Sequence, residues 1–361
     1  MMHIVKSWDL LLVLWFCWGC SNSSFAYGDS RGNSGENADA SPADSCVHVK
    51  VVKDCSNRLC YVPAGCFIGG SPYEEPGHAM KNIPTEITLA RDFLIGQFEV
   101  TQQEWEAVGF YNSSAHGPNG KGTCVDPDCP VEVNWFEALA YVNRLSELHD
   151  PPLDKCYDLL GCTGEPGKNL ECTGASVTAP TAYDCEGFRL PTQAEWEYAT
   201  RAGTTTAFYS GPLLKPTELS SSGETIFPLD PNLDKIGWYL TNAKNRPHKV
   251  GHKAPNAWGL YDPSGNVAEW TNDQAISGYG GEPISDPLKP YKNSQRSMKG
   301  GCFSFMAEFC RSAARYNDSW DSKYPDPGLR IARTVKNKKY ALSSATDKAE
   351  SRSTKSSERE N

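Results

Sequence analysis

The stretch Asn256-Ala-Trp-Gly-Leu-Tyr-Asp-Pro-Ser-Gly-Asn-Val-Ala-Glu-Trp-Thr-Asn-Asp273 decides how the rest of the chain is read. Trp258, Leu260, Tyr261, Val267 and Trp270 bring large apolar surface, so the segment belongs in a core. Asp262-Pro263-Ser264-Gly265 has the residue types of a tight type I turn. Asp262, Glu269 and Asp273 place carboxylates near one another along a short path. Hard oxygen donors gathered on a turn suit calcium better than softer metals. The candidate set is the side chains of Asp262 and Glu269 with the carbonyls of Gly265 and Val267. The same Asp-Pro-x-Gly pattern also makes a turn with no ion, so residue chemistry alone leaves both readings open.

Working outward, a capping box recurs three times. Thr101 with Glu104, Asn134 with Glu137 and Thr192 with Glu195 each place a cap and a carboxylate three residues apart. The second predicts a helix whose Ala138, Leu139, Val142, Leu145 and Leu148 share one face; the third predicts a helix ending near Gly203. Strand-like runs are Val47 to Val52, Tyr61 to Gly70, Ile87 to Leu89, Phe93 to Val100, Ile236 to Leu240, Met298 to Cys302 and Gly328 to Arg333. Residues 150–184 read as a long loop held by cross-links at Cys156, Cys162, Cys172 and Cys185.

The chain ends are of different character. Lys6 followed by the apolar run Leu10 to Phe16 reads as an export signal over residues 1–20, since the run is too short to span a bilayer. Trp18-Gly19-Cys20-Ser21 resembles a bacterial lipoprotein cleavage site, with Cys20 as the lipidated residue. Residues 21–45 read as a flexible tether and 337–361 as a charged disordered tail, which leaves one domain over 46–336. Twelve of the 14 cysteines lie beyond Cys20, an even number that suggests disulfides in an exported protein. Cys55/Cys60, Cys124/Cys129 and Cys302/Cys310 are candidate local pairs. A net charge of −9 argues against nucleic acid as a partner. Membrane contact is expected only through the Cys20 anchor.

Several segments together resemble formylglycine-generating, or sulfatase-modifying factor, domains. They are Phe98 to Trp105, Pro130 to Ala138, Gly187 to Gly203, Asn256 to Trp270, Lys299-Gly-Gly301, Cys310 to Arg315 and Gly328-Leu-Arg330, in the family's order across nearly all of 60–335. The resemblance implies a single α+β domain with little regular structure, related to the C-type lectin fold. It also implies calcium at Asp262, Gly265, Val267 and Glu269, with Asn242 a weak candidate for a second site. Oxidases of this family hold copper(I) on two cysteines after the Gly-Gly. Here the segment is Cys302-Phe-Ser-Phe-Met-Ala-Glu-Phe-Cys310, shorter and without that pair. Cys302 and Cys310 are expected to form a disulfide and copper to be absent, although two thiolates, with Met306 as a further soft donor, suit copper(I) in principle. His248 and His252 are expected to be exposed loop residues. Arg311, Arg315, Arg330 and Arg333 are expected to serve ion pairs before an anion site. The functional expectation is an exported, catalytically diverged binding or structural module whose partner is a protein, a glycan or a small molecule. The alternative is a copper-dependent oxidase that turns a protein cysteine into formylglycine.

Overall fold

Each capping box starts a helix. Helix α1 (Gln102–Ala107), α2 (Trp135–Leu148) and α3 (Gln193–Arg201) follow Thr101, Asn134 and Thr192, and in each the cap accepts the third amide while the glutamate reaches back. Helix α3 stops where Ala202 and Gly203 take left-handed φ values of 44° and 88°. On α2, Ala138, Leu139 and Val142 are fully buried, Leu145 packs at the margin, and Leu148 is half exposed. The computed structural model describes residues 46–80, 82–114, 124–275, 278–289, 291–321 and 327–336. The signal, tether and tail readings concern residues outside these.

Three sheets complete the frame. One antiparallel sheet runs Cys55–Ser56, Leu59–Val62, Phe93–Gly96, Ala332–Thr334 and Phe188–Arg189, which joins the two ends of the domain. A second runs Tyr316–Ser319, Gln295–Lys299, Ala268–Gln274 and Pro327–Leu329, its last pair parallel. A third pairs Gly65–Gly69 with Thr85–Leu89 and Ile284–Ser285. The strand Ala268–Gln274 comes from the stretch quoted first and is buried on both faces. Trp270 enters the main core beside Trp105, Trp135 and Leu329, while Glu269 and Asp273 reach α3.

The fold departs from the sequence reading in four places. Residues 150–184 are not a plain loop. Tyr157–Leu160 pairs with Gly174–Val177, and Thr163–Glu165 with Lys168–Glu171, so the segment is a nested ribbon. Cys156–Cys185 closes its base and Cys162–Cys172 its middle. Val47 to Val52 is irregular chain, fastened by Cys46–Cys66, with Val49 and Val51 packed on the second core. Ile236 to Leu240 is not a strand, because Ile236 ends a short helix, Leu233–Ile236, and the rest is irregular. Asp262 to Gly265 closes no local turn. Its amides pair elsewhere, Gly265 with the Gly300 carbonyl and Asn266 with that of Trp238.

Five disulfides form among the described residues, including the expected Cys55–Cys60 and Cys124–Cys129. Among the described residues, no helix is long and apolar enough to cross a membrane.

Candidate functional site

The strand Ala268–Gln274 places Glu269 inside the protein, where a bare carboxylate would be costly. Arg330 answers it with Nη2 at 2.6 Å and Nε at 2.9 and 3.1 Å, and the Trp196 indole donates to its other oxygen at 2.6 Å. Asp262 sits nearby with left-handed backbone, φ 59°, and accepts the Gly251 amide at 2.6 Å through Oδ2. Its Oδ1 is buried and meets no hydrogen-bond donor. Burial pushes the Asp262 carboxyl up to about 6, against the pull of the Gly251 amide and Arg330.

A third acid, Glu99, completes the cluster. It accepts the Val267 amide at 3.1 Å and the Asn266 side-chain amide at 2.5 Å. Burial first, then Asp262 and Glu269, drive its carboxyl well above the usual range. Sequence reasoning missed Glu99. The signal was a lone acid in the apolar run Phe93 to Val100, where a charge needs a buried partner.

These positions allow a test of the calcium reading. Glu99, Asp262 and Glu269 are three carboxyl groups sharing one guanidinium, and burial with this crowding raises Glu99 and Asp262. Asp262 Oδ1 is a dry oxygen of the type calcium takes. Glu269 is the point of tension, since Arg330 and Trp196 already fill both its oxygens. No three metal-binding side chains converge among the described residues, and the calcium set asks for only two, with the Gly265 and Val267 carbonyls making up the rest. What the set leaves open to a hard cation is therefore Asp262 Oδ1, with Glu269 held by Arg330 and Trp196. Asn242 fits none, because its amide already bridges the Tyr239 amide, Asp234 and the Gly237 carbonyl.

Asp273 does not join that cluster. It caps the start of α3 by accepting the Gln193 amide at 2.7 Å, and burial pushes it up to about 7. One turn on, the buried Glu197 receives Lys299 at 3.2 Å, Arg201 at 2.9 Å, Arg315 at 3.4 Å and the Gly70 amide at 2.8 Å. Burial alone would raise Glu197, but the three cations outweigh it and hold it at about 2. The arginines are largely spent on ion pairs, as expected: Arg330 on Glu269, Arg311 on Glu75 and Arg315 on Glu197. Arg333 instead donates to the Glu186 carbonyl.

The segment after the Gly-Gly corrects one expectation. Cys302 and Cys310 form no disulfide; both are buried thiols. They belong to two adjoining apolar clusters that Phe305 joins. Cys302 packs with Trp270 and Leu329 and lies 3.1 Å from the Ser304 hydroxyl, whereas Cys310 packs with Phe208 and Tyr239. Burial pushes the Cys310 thiol far above its ordinary range, so it does not ionise at neutral pH. Phe303 is core, Phe305 bridges both clusters, and Met306 lines a narrow recess with Lys215, Thr217, Phe227, Thr241 and Glu308. Leu214 and Leu219, on the segment that borders this recess, are exposed. His248 is a second correction. It is half-buried and stacked on Trp238 at 3.9 Å, while His252 is exposed as expected.

The order of these motifs and the domain they build have a counterpart among known proteins. The model of the sulfatase-modifying factor enzyme 1-like domain matches residues 50–335. The chain belongs to that family. Chaperone protein LppX of Paenibacillus barcinonensis is 31% identical over 268 residues, 69% of this chain and 82% of that protein. The formylglycine-generating enzyme of Mycobacterium tuberculosis is 34% identical over 306 residues, 76% and 96% of the two chains. Among solved structures, Treponema denticola variable protein 1 superposes with a TM-score of 0.58 at 28% identity, covering 77% of this chain and 95% of its own. PvdO from Pseudomonas aeruginosa gives 0.54 at 22% identity, covering 79% and 98%, a likeness of fold alone. The mixed α+β, disulfide-bonded sulfatase-modifying-factor domain expected from the sequence is therefore the one that forms.

Proposed function

We propose that this sulfatase-modifying-factor domain is an exported, catalytically diverged module that binds a polypeptide partner and draws stability from calcium. The observation that carries the reading is the complete burial of Cys310, which keeps its thiol neutral, in a segment that lacks the copper-binding pair. Copper(I) chemistry on cysteine needs two thiolates at one point, and a deeply buried thiol held neutral supplies none. The apolar side chains bordering the Met306 recess offer a contact surface in place of a metal cup. The relative named as a chaperone supports a polypeptide as the bound class. The five disulfides among the described residues suit an oxidising compartment, which supports export; attachment to a membrane would be through Cys20. If calcium binds, Asp262 and Glu269 with the Gly265 and Val267 carbonyls hold it. Its contribution there is to balance buried carboxylate charge.

One observation favours the oxidase alternative: both cysteines stay reduced, as that chemistry requires. The deciding experiment reduces and loads the domain with copper(I), then incubates it in oxygen with a Cys-x-Pro-x-Arg peptide. The expected result is an unchanged peptide mass. Conversion of the peptide cysteine to formylglycine, abolished by Cys302→Ser, would establish the oxidase and overturn the binding reading.

A further inference from the structure

The nested ribbon lies along α2 and is tied to it at both ends. At its base, the Asn143 side chain accepts the Tyr157 amide at 3.1 Å and donates to the Tyr157 carbonyl at 2.8 Å. Towards its tip, Glu137 accepts the Gly167 amide at 2.8 Å and Asn134 donates to the Leu170 carbonyl at 3.0 Å. Between the ties lies an open groove of about 400 Å3, lined by Phe110, Ala140, Arg144, Glu147, Lys155 and Leu159 among others.

The register says what faces that groove. In an antiparallel pair, alternate residues turn both backbone groups towards the partner strand and the others turn both away. Thr178 donates to the Cys156 carbonyl, and Thr173 to that of Leu160, so residues 156, 158 and 160 face inward. Tyr157 and Leu159 face outward. The outward groups of Tyr157 are met by the Asn143 amide, which stands where the backbone of a neighbouring strand would lie. Leu159, two residues on, has the same outward pair and no side chain to meet it. The groove beside it is left open by a small residue of α2, Ala140.

We propose that this groove takes an extended polypeptide segment, one residue of which pairs with the outward N–H and C=O of Leu159. The free groups are one donor and one acceptor at strand spacing, which is the pattern a peptide backbone completes. The Asn143 amide already imitates it one position earlier. Phe110, Ala140 and the Leu159 side chain give the incoming residue an apolar floor, and Arg144, Glu147 and Lys155 give it a charged rim. The site is separate from the Gly-Gly segment, so its test stands whether or not that segment binds a polypeptide.

The probe is the blocked pentapeptide acetyl-Thr-Val-Thr-Val-Thr-amide and its copy with alternate amides N-methylated, added to the intact disulfide-bonded protein. Amide exchange is read at Leu159 and Tyr157, and binding by peptide fluorescence anisotropy. Without peptide, the Leu159 amide should exchange at least tenfold faster than that of Tyr157. With peptide it should slow at least tenfold, and N-methylation should weaken binding about tenfold, the loss of one or two backbone hydrogen bonds. Leu159→Pro removes the outward N–H together with the Leu159 side chain, and Ala140→Phe fills the groove from the helix side with the ribbon's own sequence unchanged. Each should weaken binding by a similar factor, and the second keeps the test sound if the first disturbs the ribbon. Equal binding of the two peptides, binding unaffected by Ala140→Phe, or no binding of either peptide would overturn the proposal.

Discussion

The cluster around Glu269 and the segment from Cys302 to Cys310 lie on either side of the same sheet register, yet the protein treats them oppositely. Glu269 pairs with Lys299 across two strands, and every oxygen it carries is claimed by Arg330 or Trp196. Beyond Lys299 the chain leaves the sheet, and its two cysteines are buried in apolar clusters. The first region concentrates charge where removal of any member leaves another exposed to low dielectric. The second buries its two thiols, neither of them in a disulfide, among apolar side chains. Fold-defining electrostatics and the expected chemistry have thus come apart within a few residues of each other.

The sharpest way to break that contrast is to remove one charge from the first region and one thiol from the second. Arg330→Met should cost about 3–5 kcal/mol, because it leaves Glu269 buried beside Glu99 and Asp262 without a cation. Cys310→Ala should cost about 1–2 kcal/mol, the loss of a small buried side chain. Denaturant unfolding of the two variants checks the ordering; equal losses would show that the charged cluster is no more than packing.

Chelation sharpens the same comparison. An ion that binds only the folded domain contributes about 2.7 kcal/mol at a hundredfold excess over its Kd. EDTA should therefore lower the Tm of the wild type and leave Asp262→Asn unmoved. A wild-type Tm indifferent to both calcium and EDTA removes calcium from the reading.

The last test is a pH slope. Asp273 is raised to about 7 in the folded domain, by burial first and then by Glu195, with the Gln193 amide, Arg315 and Arg189 opposing. Its ordinary value is about 4, so between these limits the folded state keeps a proton that the unfolded state has released. The stability it contributes is whole below pH 4 and is lost as pH rises through about 7. Asp273→Asn should remove this slope, at most about 1.4 kcal/mol per pH unit. Melting curves at pH 5 and pH 8 for both proteins read the difference directly; parallel curves would contradict it.

Much of this was legible before the structure. A cap and its glutamate act within four residues, so all three helix starts followed from local chemistry. The stretch from Asn256 to Asp273 declared itself by apolar weight, and Trp258, Leu260, Val267 and Trp270 are all buried. What failed depended on distant partners. The turn at Asp262 looked local, but its neighbours' amides are met by Trp238 and Gly300. The ribbon from Tyr157 to Val177 was hidden because its strands are short and solvent-facing, with two cross-links supplying order that periodicity normally announces. Glu99 was missed because its significance lies in residues more than 160 positions away. The Cys302–Cys310 disulfide was expected from spacing, and spacing does not say which core a side chain enters.

Glu197 has a consequence for how the domain is made. Its partners Gly70, Lys299 and Arg315 lie 127, 102 and 118 residues away along the chain. A collapsed intermediate holding only part of the sequence would carry this carboxylate in a low-dielectric interior with some of its cations missing. Such long-range closure is slow, and its reward arrives only when most of the chain is in place. Truncation that removes Gly70, or Lys299 and Arg315, leaves Glu197 with fewer of its partners, and such shortened chains should unfold more readily than the whole domain.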